Sequence, residues 1–356
     1  MRIAVGMSGG VDSSVAALLL LKAGHEVSGV LMKVRSGPAG APGGRGACYG
    51  HDEAADIRAA GDVCARLSIP LRIIDCAGSF EEIVLRDLRD GYLAGRTPNP
   101  CVRCNQMIKF GLLPEAARRA GLAFDRFATG HYARVEYEPS LVRFVLKRGA
   151  DSRKDQSYFL YRLSQPQLAT ALFPLGDLHK SRVREIAREE GLPVHDRKES
   201  QDFTDGGLAE VLGRDDREGD IVDREGKVLG RHRGVWNYTI GQRKGLGLAH
   251  PVPLYVVGID AAANRLVVGP ESETFRRSAT VRDTVWGPFD ALAAPAEVRV
   301  KVRSGGRPVA ATIVPLDGGT CRVDFAEPVA SVAPGQSAVF YDGETVVGGG
   351  IIASAA

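Results

Sequence analysis

The chain opens on two apolar blocks divided by a polar, glycine-bearing hinge. Residues 2–7 read as a short buried strand and residues 15–21 as a helix, with Ser8-Gly9-Gly10-Val11-Asp12-Ser13-Ser14 between them. Gly24 stops that helix, and residues 26–32 form the next apolar run. A helical period over 52–67 ends before Pro70, an apolar run over 71–75 follows, a helix is expected over about 80–94, and a fourth strand over 125–129. Strands alternating with helices predict an α/β fold built on a doubly wound parallel sheet, whose ligands sit at the carboxyl ends of the strands. Residues 134–147 alternate like a hairpin, and the segment from 154 to 191 reads as helix-rich. The pattern then changes. Short strand-like runs around 222–228 and 255–257 suggest a small mixed module, and the runs 296–302, 310–314, 321–325 and 337–341 suggest a C-terminal antiparallel β-barrel. The expected domains are therefore 1–205, 206–275 and 276–356.

Composition narrows the picture modestly. A chain of 356 residues with 44% hydrophobic and 25% charged residues is that of a globular protein of two or three domains. It shows no signal peptide and no spanning run, so a cytoplasmic location and no membrane partner are expected. A net charge of +3 leaves the partner open. The six cysteines, at 48, 64, 76, 101, 104 and 321, do not resemble a secreted disulfide framework. Cys64, Cys76 and Cys321 fall in regular elements and read as structural.

The hinge carries the first candidate chemistry. Its glycines permit a tight turn and a close backbone approach, while Ser8, Asp12, Ser13 and Ser14 gather at a helix N-terminus, where N–H groups and the dipole favour phosphate. No Gly-Lys-Ser follows, so this is not a Walker loop, and the glycine spacing is wrong for a dinucleotide fingerprint. Met32 ends the second strand and Gly130-His131-Tyr132 follows the fourth, at the same edge. His131 reads equally as a neighbour of the nucleotide or as structural. The second candidate is Cys101-Val102-Arg103-Cys104, placed after Pro98-Asn99-Pro100 on a loop expected to be rigid, ahead of a helix expected near Ile108. Cys48 leaves a Gly, Pro and Ala-rich loop, 36–46, toward the same edge.

Ser8-Gly9-Gly10-Val11-Asp12-Ser13 resembles the pyrophosphate loop of ATP pyrophosphatases. Together with Thr97 to Asn105, Ile108-Lys109-Phe110, Ala128 to Tyr132, Lys154 to Leu160, Gly241 to Gly247 and Pro334 to Tyr341, it resembles the tRNA-specific 2-thiouridylases over nearly the whole chain. The resemblance implies an adenine nucleotide alpha-hydrolase-like catalytic domain. It implies ATP with Mg²⁺, adenylation of the C2 oxygen of the wobble uridine, and its replacement by sulfur with release of AMP and pyrophosphate. It places Gly6, Met7, Ser8, Gly9, Gly10, Val11, Asp12 and Ser13 around the phosphates, Met32 and Gly130 against adenosine, and the nucleophile on Cys104. It assigns substrate binding to Asn99, Pro100 and Cys101, tRNA contacts near the anticodon to Lys154, Asp155 and Gln156, and a second tRNA contact to Arg303 and Ser304. The implied partners are tRNA and a cysteine desulfurase or sulfur relay protein.

In that family a second, downstream cysteine carries a persulfide. Here the matching segment, 198–206, holds none, and Thr204 or a gap stands in its place. Two replacements are open. Cys48, Cys101 and Cys104 supply three thiolates for an iron-sulfur cluster whose free iron delivers hydrosulfide, the alternative this reading favours. The other is a relay in which Cys101 carries the persulfide and Cys104 resolves it through a disulfide bond. Competing functions are a pyrophosphate-loop ligase of the argininosuccinate or GMP synthetase type, which needs no C-x-x-C, and a non-catalytic RNA-binding sulfur carrier, against which the intact loop argues.

Overall fold

In the computed structural model, residues 1–35, 49–50, 52–197, 203–204, 207–213 and 217–356 are described. The chain divides into two compact units, one of residues 1–84, 101–205 and 344–346, the other of residues 85–100, 206–343 and 347–356.

The first unit is organised by β1 (Arg2–Met7), α1 (Val11–Lys22), β2 (Glu26–Lys33), α2 (Glu53–Arg66) and β3 (Leu71–Asp75). β4 (Arg126–Thr129) extends the sheet on the other side of β1. The hairpin of β5 (Ala133–Glu138) and β6 (Arg143–Arg148) comes next, and β7 (Ala171–Leu172) pairs with β4. The order β3-β2-β1-β4-β7 is parallel throughout, as the alternation of strands and helices predicts. β7 breaks the helix-rich expectation for 154–191. Two residues are too short to show a period, and their pairing with Phe127 and Ala128 makes the strand.

α1 is buried on nearly every face because it is covered twice, by the sheet and by the helix Lys180–Glu189, whose Val183, Ile186 and Ala187 share its core. Each such Val, Leu or Ile is worth about 1.5–3 kcal/mol when removed from water. The chain is helical from Ala77 through a π-helical turn, Glu81–Leu85, to Leu93, close to the expected helix. The C-x-x-C departs from expectation. It lies not on a loop but in the helix Pro100–Cys104, which runs directly into a π-helix, Asn105–Leu112. Pro100 supplies the fixed φ that suits a first helical position, so the second proline of Pro98-Asn99-Pro100 starts the helix it was expected only to precede.

The second unit holds two β structures. β8 (Gly219–Val222), β9 (Val228–His232), β10 (Tyr255–Asp260) and β11 (Arg265–Gly269) form a mixed sheet ordered β10-β11-β8-β9. β12 (Phe275–Trp286), β13 (Ala296–Lys301), β14 (Val309–Leu316), β15 (Thr320–Ala330), β16 (Ser337–Asp342) and β17 (Thr345–Ala355) close an antiparallel six-stranded barrel through the β12–β17 pairing. Closure needs the glycines of β17, because a Cβ at Gly348 would stand 2.4 Å from the Val285 carbonyl and one at Gly350 2.6 Å from that of Arg282.

Candidate active site

The hinge after β1 forms a turn that only its sequence allows. Gly9 takes φ +69°, and a Cβ there would meet the Asp56 carbonyl at 2.6 Å and Arg197 Nη1 at 2.8 Å. Gly10 is the N-cap of α1, and no side chain caps the first turn. The hydroxyls order the loop itself. The Ser8 amide donates to Ser13 Oγ (3.2 Å), and the Ser13 and Ser14 hydroxyls donate to the Gly10 carbonyl (3.2 and 2.8 Å). Ser14 is fully buried and holds the turn, whereas Ser8 is exposed at its mouth. Arg197 donates to the Gly9 carbonyl (2.7 Å) and pairs with Asp56 on α2. Burial pushes the Asp56 carboxyl up, and Arg197 works against that rise.

Asp12 is the acid of this cradle, and it is met by Tyr132, which the sequence placed at this edge without a role, and by Lys180, which sequence reasoning missed. Tyr132 donates its hydroxyl to Asp12 Oδ1 at 2.8 Å, and Lys180 Nζ stands 2.7 and 2.8 Å from Oδ1 and Oδ2. Neither had a local signal, since they lie 120 and 168 residues from Asp12. A lysine in the first turn of a helix was the one available clue, because its charge opposes the dipole. Gly130 packs on the same loop: a Cβ would fall 2.6 Å from the Asp12 carbonyl carbon and 2.7 Å from the Ser13 nitrogen.

The parallel strands bring several expected residues to one edge. Met32, half-buried near the end of β2, Cys76, just after β3, and Gly130, just after β4, all lie there. Cys76 feels the charge of Cys104, which brings the C-x-x-C helix to that edge, and burial first, then Asp75 and Cys104, push its thiol up to about 11. Burial raises Cys64 to about 11 and Cys321 to about 12, as suits inert structural thiols. Cys101 is half-buried and Cys104 buried. His131 bonds Thr129 Oγ1 through Nδ1 (2.7 Å), with Phe110 and Phe173 packed about it. Burial first, then Lys109, holds it well below the usual histidine range, so it is neutral near pH 7.

Other expected residues are placed differently. The Asp155 side chain is 1% exposed, and its carboxylate accepts from Arg148 Nε, the Gly149 amide and the Ser157 amide, so it is a structural acid rather than one offered to RNA. Gln156 accepts from the Tyr132 amide (2.9 Å) and donates its own amide to the Tyr132 carbonyl (2.8 Å). Lys154 is half-exposed beside them. In the second unit, Asn99 and Pro100 are half-buried, and Arg303 and Ser304 are exposed in the turn after β13. Thr97 and Gly335, from two separate motifs, meet within that unit: the Thr97 amide donates to the Pro334 carbonyl (2.8 Å), and Gly335 takes φ +94° with Thr97 where a Cβ would stand.

Cys48 and the segments 36–48 and 198–202 lie outside the described residues. Their flanks are described: the Tyr49 amide donates to the Phe203 carbonyl (2.8 Å), and Tyr49, Phe80 and Phe203 stack. Among the described residues no group of three or more His, Cys, Asp or Glu side chains is arranged to hold a metal. No helix among them is long and apolar enough to cross a membrane.

Comparison with known proteins follows this geometry. Residues 1–204 match the family profile described as the tRNA methyl transferase HUP domain, residues 208–270 the tRNA methyl transferase PRC-barrel domain, and residues 276–352 the Aminomethyltransferase beta-barrel domain. The chain is 44% identical over 356 residues to the tRNA-specific 2-thiouridylase MnmA of Endomicrobium trichonymphae, covering 99% of each. It is 45% identical over 365 residues to that of Geobacter metallireducens, covering 99% of this chain and 97% of the relative. Against that of Trichormus variabilis it is 43% identical over 357 residues, covering 99% and 98%. With that likeness along its whole length, the chain belongs to the family of tRNA-specific 2-thiouridylases.

Proposed function

We infer that this protein is an ATP-dependent tRNA-uridine 2-sulfurtransferase of the cytoplasm. Family membership supports the reaction, and the observation that carries it to this chain is the pyrophosphate-type loop, with Asp12 and Gly130 packed together at the sheet edge that Cys104 also reaches. A uracil C2 oxygen leaves poorly, so ATP first converts it to an adenylate. Gly6 to Ser13 hold the phosphates, and Met32 and Gly130 border the adenosine. One carboxylate beside substrate phosphates is the donor set Mg²⁺ commonly uses, which Asp12 would provide, and the ion would supply charge neutralisation there.

The sulfur step belongs to the helix Pro100–Cys104. Its two thiols lie one turn apart. Cys101, the more accessible, carries a persulfide received from a cysteine desulfurase or relay protein. The terminal sulfur bonds to C2, and AMP leaves with the former C2 oxygen. Cys104 thiolate then attacks the Cys101 sulfur, the thiolated uridine is released, and the resulting disulfide is reduced by an external dithiol. This relay needs only the two thiols of that helix, whereas an iron-sulfur cluster would need Cys48 as a third ligand. Lys154 on the first unit, and Asn99, Arg303 and Ser304 on the second, are the proposed contacts to tRNA near the anticodon.

Pyrophosphate release is the test. The purified protein with ATP should release pyrophosphate only when tRNA lacking the 2-thio group is added, and Asp12→Ala should abolish the release while the fold persists. Release driven by an amino acid or another small nucleophile would assign a synthetase activity instead.

A further inference from the structure

Lys180 begins the helix Lys180–Glu189 and is 8% exposed. A cation there opposes the helix dipole, and a buried ion pair commonly contributes no more stability than apolar side chains of the same size. The helix does not need the pair to be seated, because Val183, Ile186 and Ala187 already pack it into the core shared with α1. The backbone of Lys180 is fixed separately: its amide donates to Asp151 Oδ2 at 3.0 Å, and the Arg153 amide donates to the other oxygen. Burial would raise the Asp151 carboxyl, but those two amides together with the charges of His179 and Arg153 hold it below its usual range. The ammonium is thus aimed at Asp12, in the first turn of α1, whose side chain is 32% exposed where phosphate is expected. Tyr132 holds the same carboxylate, so Asp12 keeps a partner if the lysine leaves.

We propose that Lys180 is a catalytic residue of the adenylation step, binding the β- and γ-phosphates and neutralising the departing pyrophosphate. The proposal rests on the ATP-dependent reading above. Without nucleotide, Asp12 holds the ammonium. A bound triphosphate carries more negative charge and takes it over by rotation of the flexible lysine stem. In the step itself, a bond forms between the uracil C2 oxygen and the α-phosphorus. The bond from that phosphorus to the α–β bridging oxygen breaks, and its electron pair leaves on pyrophosphate beside Nζ. The uracil N3 proton is lost to water, and Lys180 remains protonated throughout. A cation held at a developing charge is worth about 10²–10³ in rate.

Calorimetric binding of inorganic pyrophosphate, ATP and AMP, read beside tRNA-dependent pyrophosphate release, tests this. Lys180→Gln should weaken pyrophosphate and ATP at least tenfold, leave AMP within twofold, and slow release about a hundredfold, with partial recovery in Lys180→Arg. Asp12→Asn removes the carboxylate charge that draws the ammonium away and should bind metal-free pyrophosphate more tightly than the wild type. Should Lys180→Gln misfold, that variant decides the matter by itself. Equal losses for AMP and pyrophosphate, or Asp12→Asn binding pyrophosphate no better than wild type, would reduce Lys180 to a staple between two helices. A wild-type protein that binds neither ATP nor pyrophosphate overturns the nucleotide reading along with the proposal. One that binds both while Lys180→Gln binds them equally well overturns the lysine alone.

Discussion

Gln156 brackets the peptide of Tyr132, accepting from its amide at 2.9 Å and donating to its carbonyl at 2.8 Å, while the Tyr132 hydroxyl donates to Asp12. A residue the family resemblance assigns to tRNA is thereby one link from the acid of the phosphate loop. Gln156→Ala leaves the buried Tyr132 amide unsatisfied and should cost about 1–3 kcal/mol of stability in urea unfolding. Tyr132→Phe removes one bond to a charged acceptor, about 1.5–3 kcal/mol, and should lower kcat/KM for pyrophosphate release at least tenfold. Unchanged turnover in Tyr132→Phe would detach the tyrosine from the site.

Lys154, two residues away, should behave otherwise. Lys154→Glu should weaken tRNA binding most at low salt and lower the salt slope by about one unit. Equal affinity in a low-salt gel-shift titration would remove that contact.

Gly130 has no room for a side chain against the backbone of Asp12 and Ser13. Gly130→Ala should displace the loop or strain it by about 1–3 kcal/mol, and ATP affinity should fall while tRNA affinity holds. Wild-type ATP affinity would mean that the loop has space the distances deny.

Stability should depend on two histidines. His131 and His232 both sit below the ordinary value of 6.5 in the fold, each through burial first. The unfolded chain takes up protons below about pH 6.5 that the folded chain refuses. Their contribution is therefore complete above that pH and is lost as pH falls toward the folded values. The urea midpoint should drop between pH 7.5 and 5.5, and His131→Asn should flatten the drop. A midpoint that rises over this range would contradict the assignment.

Cys48 separates the two sulfur schemes. The relay through Cys101 and Cys104 predicts that Cys48→Ser still thiolates tRNA when supplied by a desulfurase. Loss of thiolation in that variant, with loss of visible absorbance after anaerobic reconstitution, would assign a cluster instead.

What the sequence disclosed was local. The phosphate loop is one contiguous run, and the sheet follows from strands and helices in strict alternation. The Asp12 partners were hidden because Tyr132 and Lys180 reach it only through the fold. The helix start at Pro100 is not legible in the sequence because two prolines suggest a rigid loop as readily as helix initiation. β17 was hidden by its own glycines, which depress strand propensity and are present because another strand crosses close by.

The central claim meets its most direct test in nucleoside mass analysis of tRNA from cells deleted for this chain, with and without a plasmid copy. The account predicts that 2-thiouridine derivatives at the wobble position vanish on deletion, return with the wild-type copy, and fail to return with Cys104→Ser. Wobble 2-thiouridine that persists in the deleted cells, or that Cys104→Ser restores in full, would contradict it.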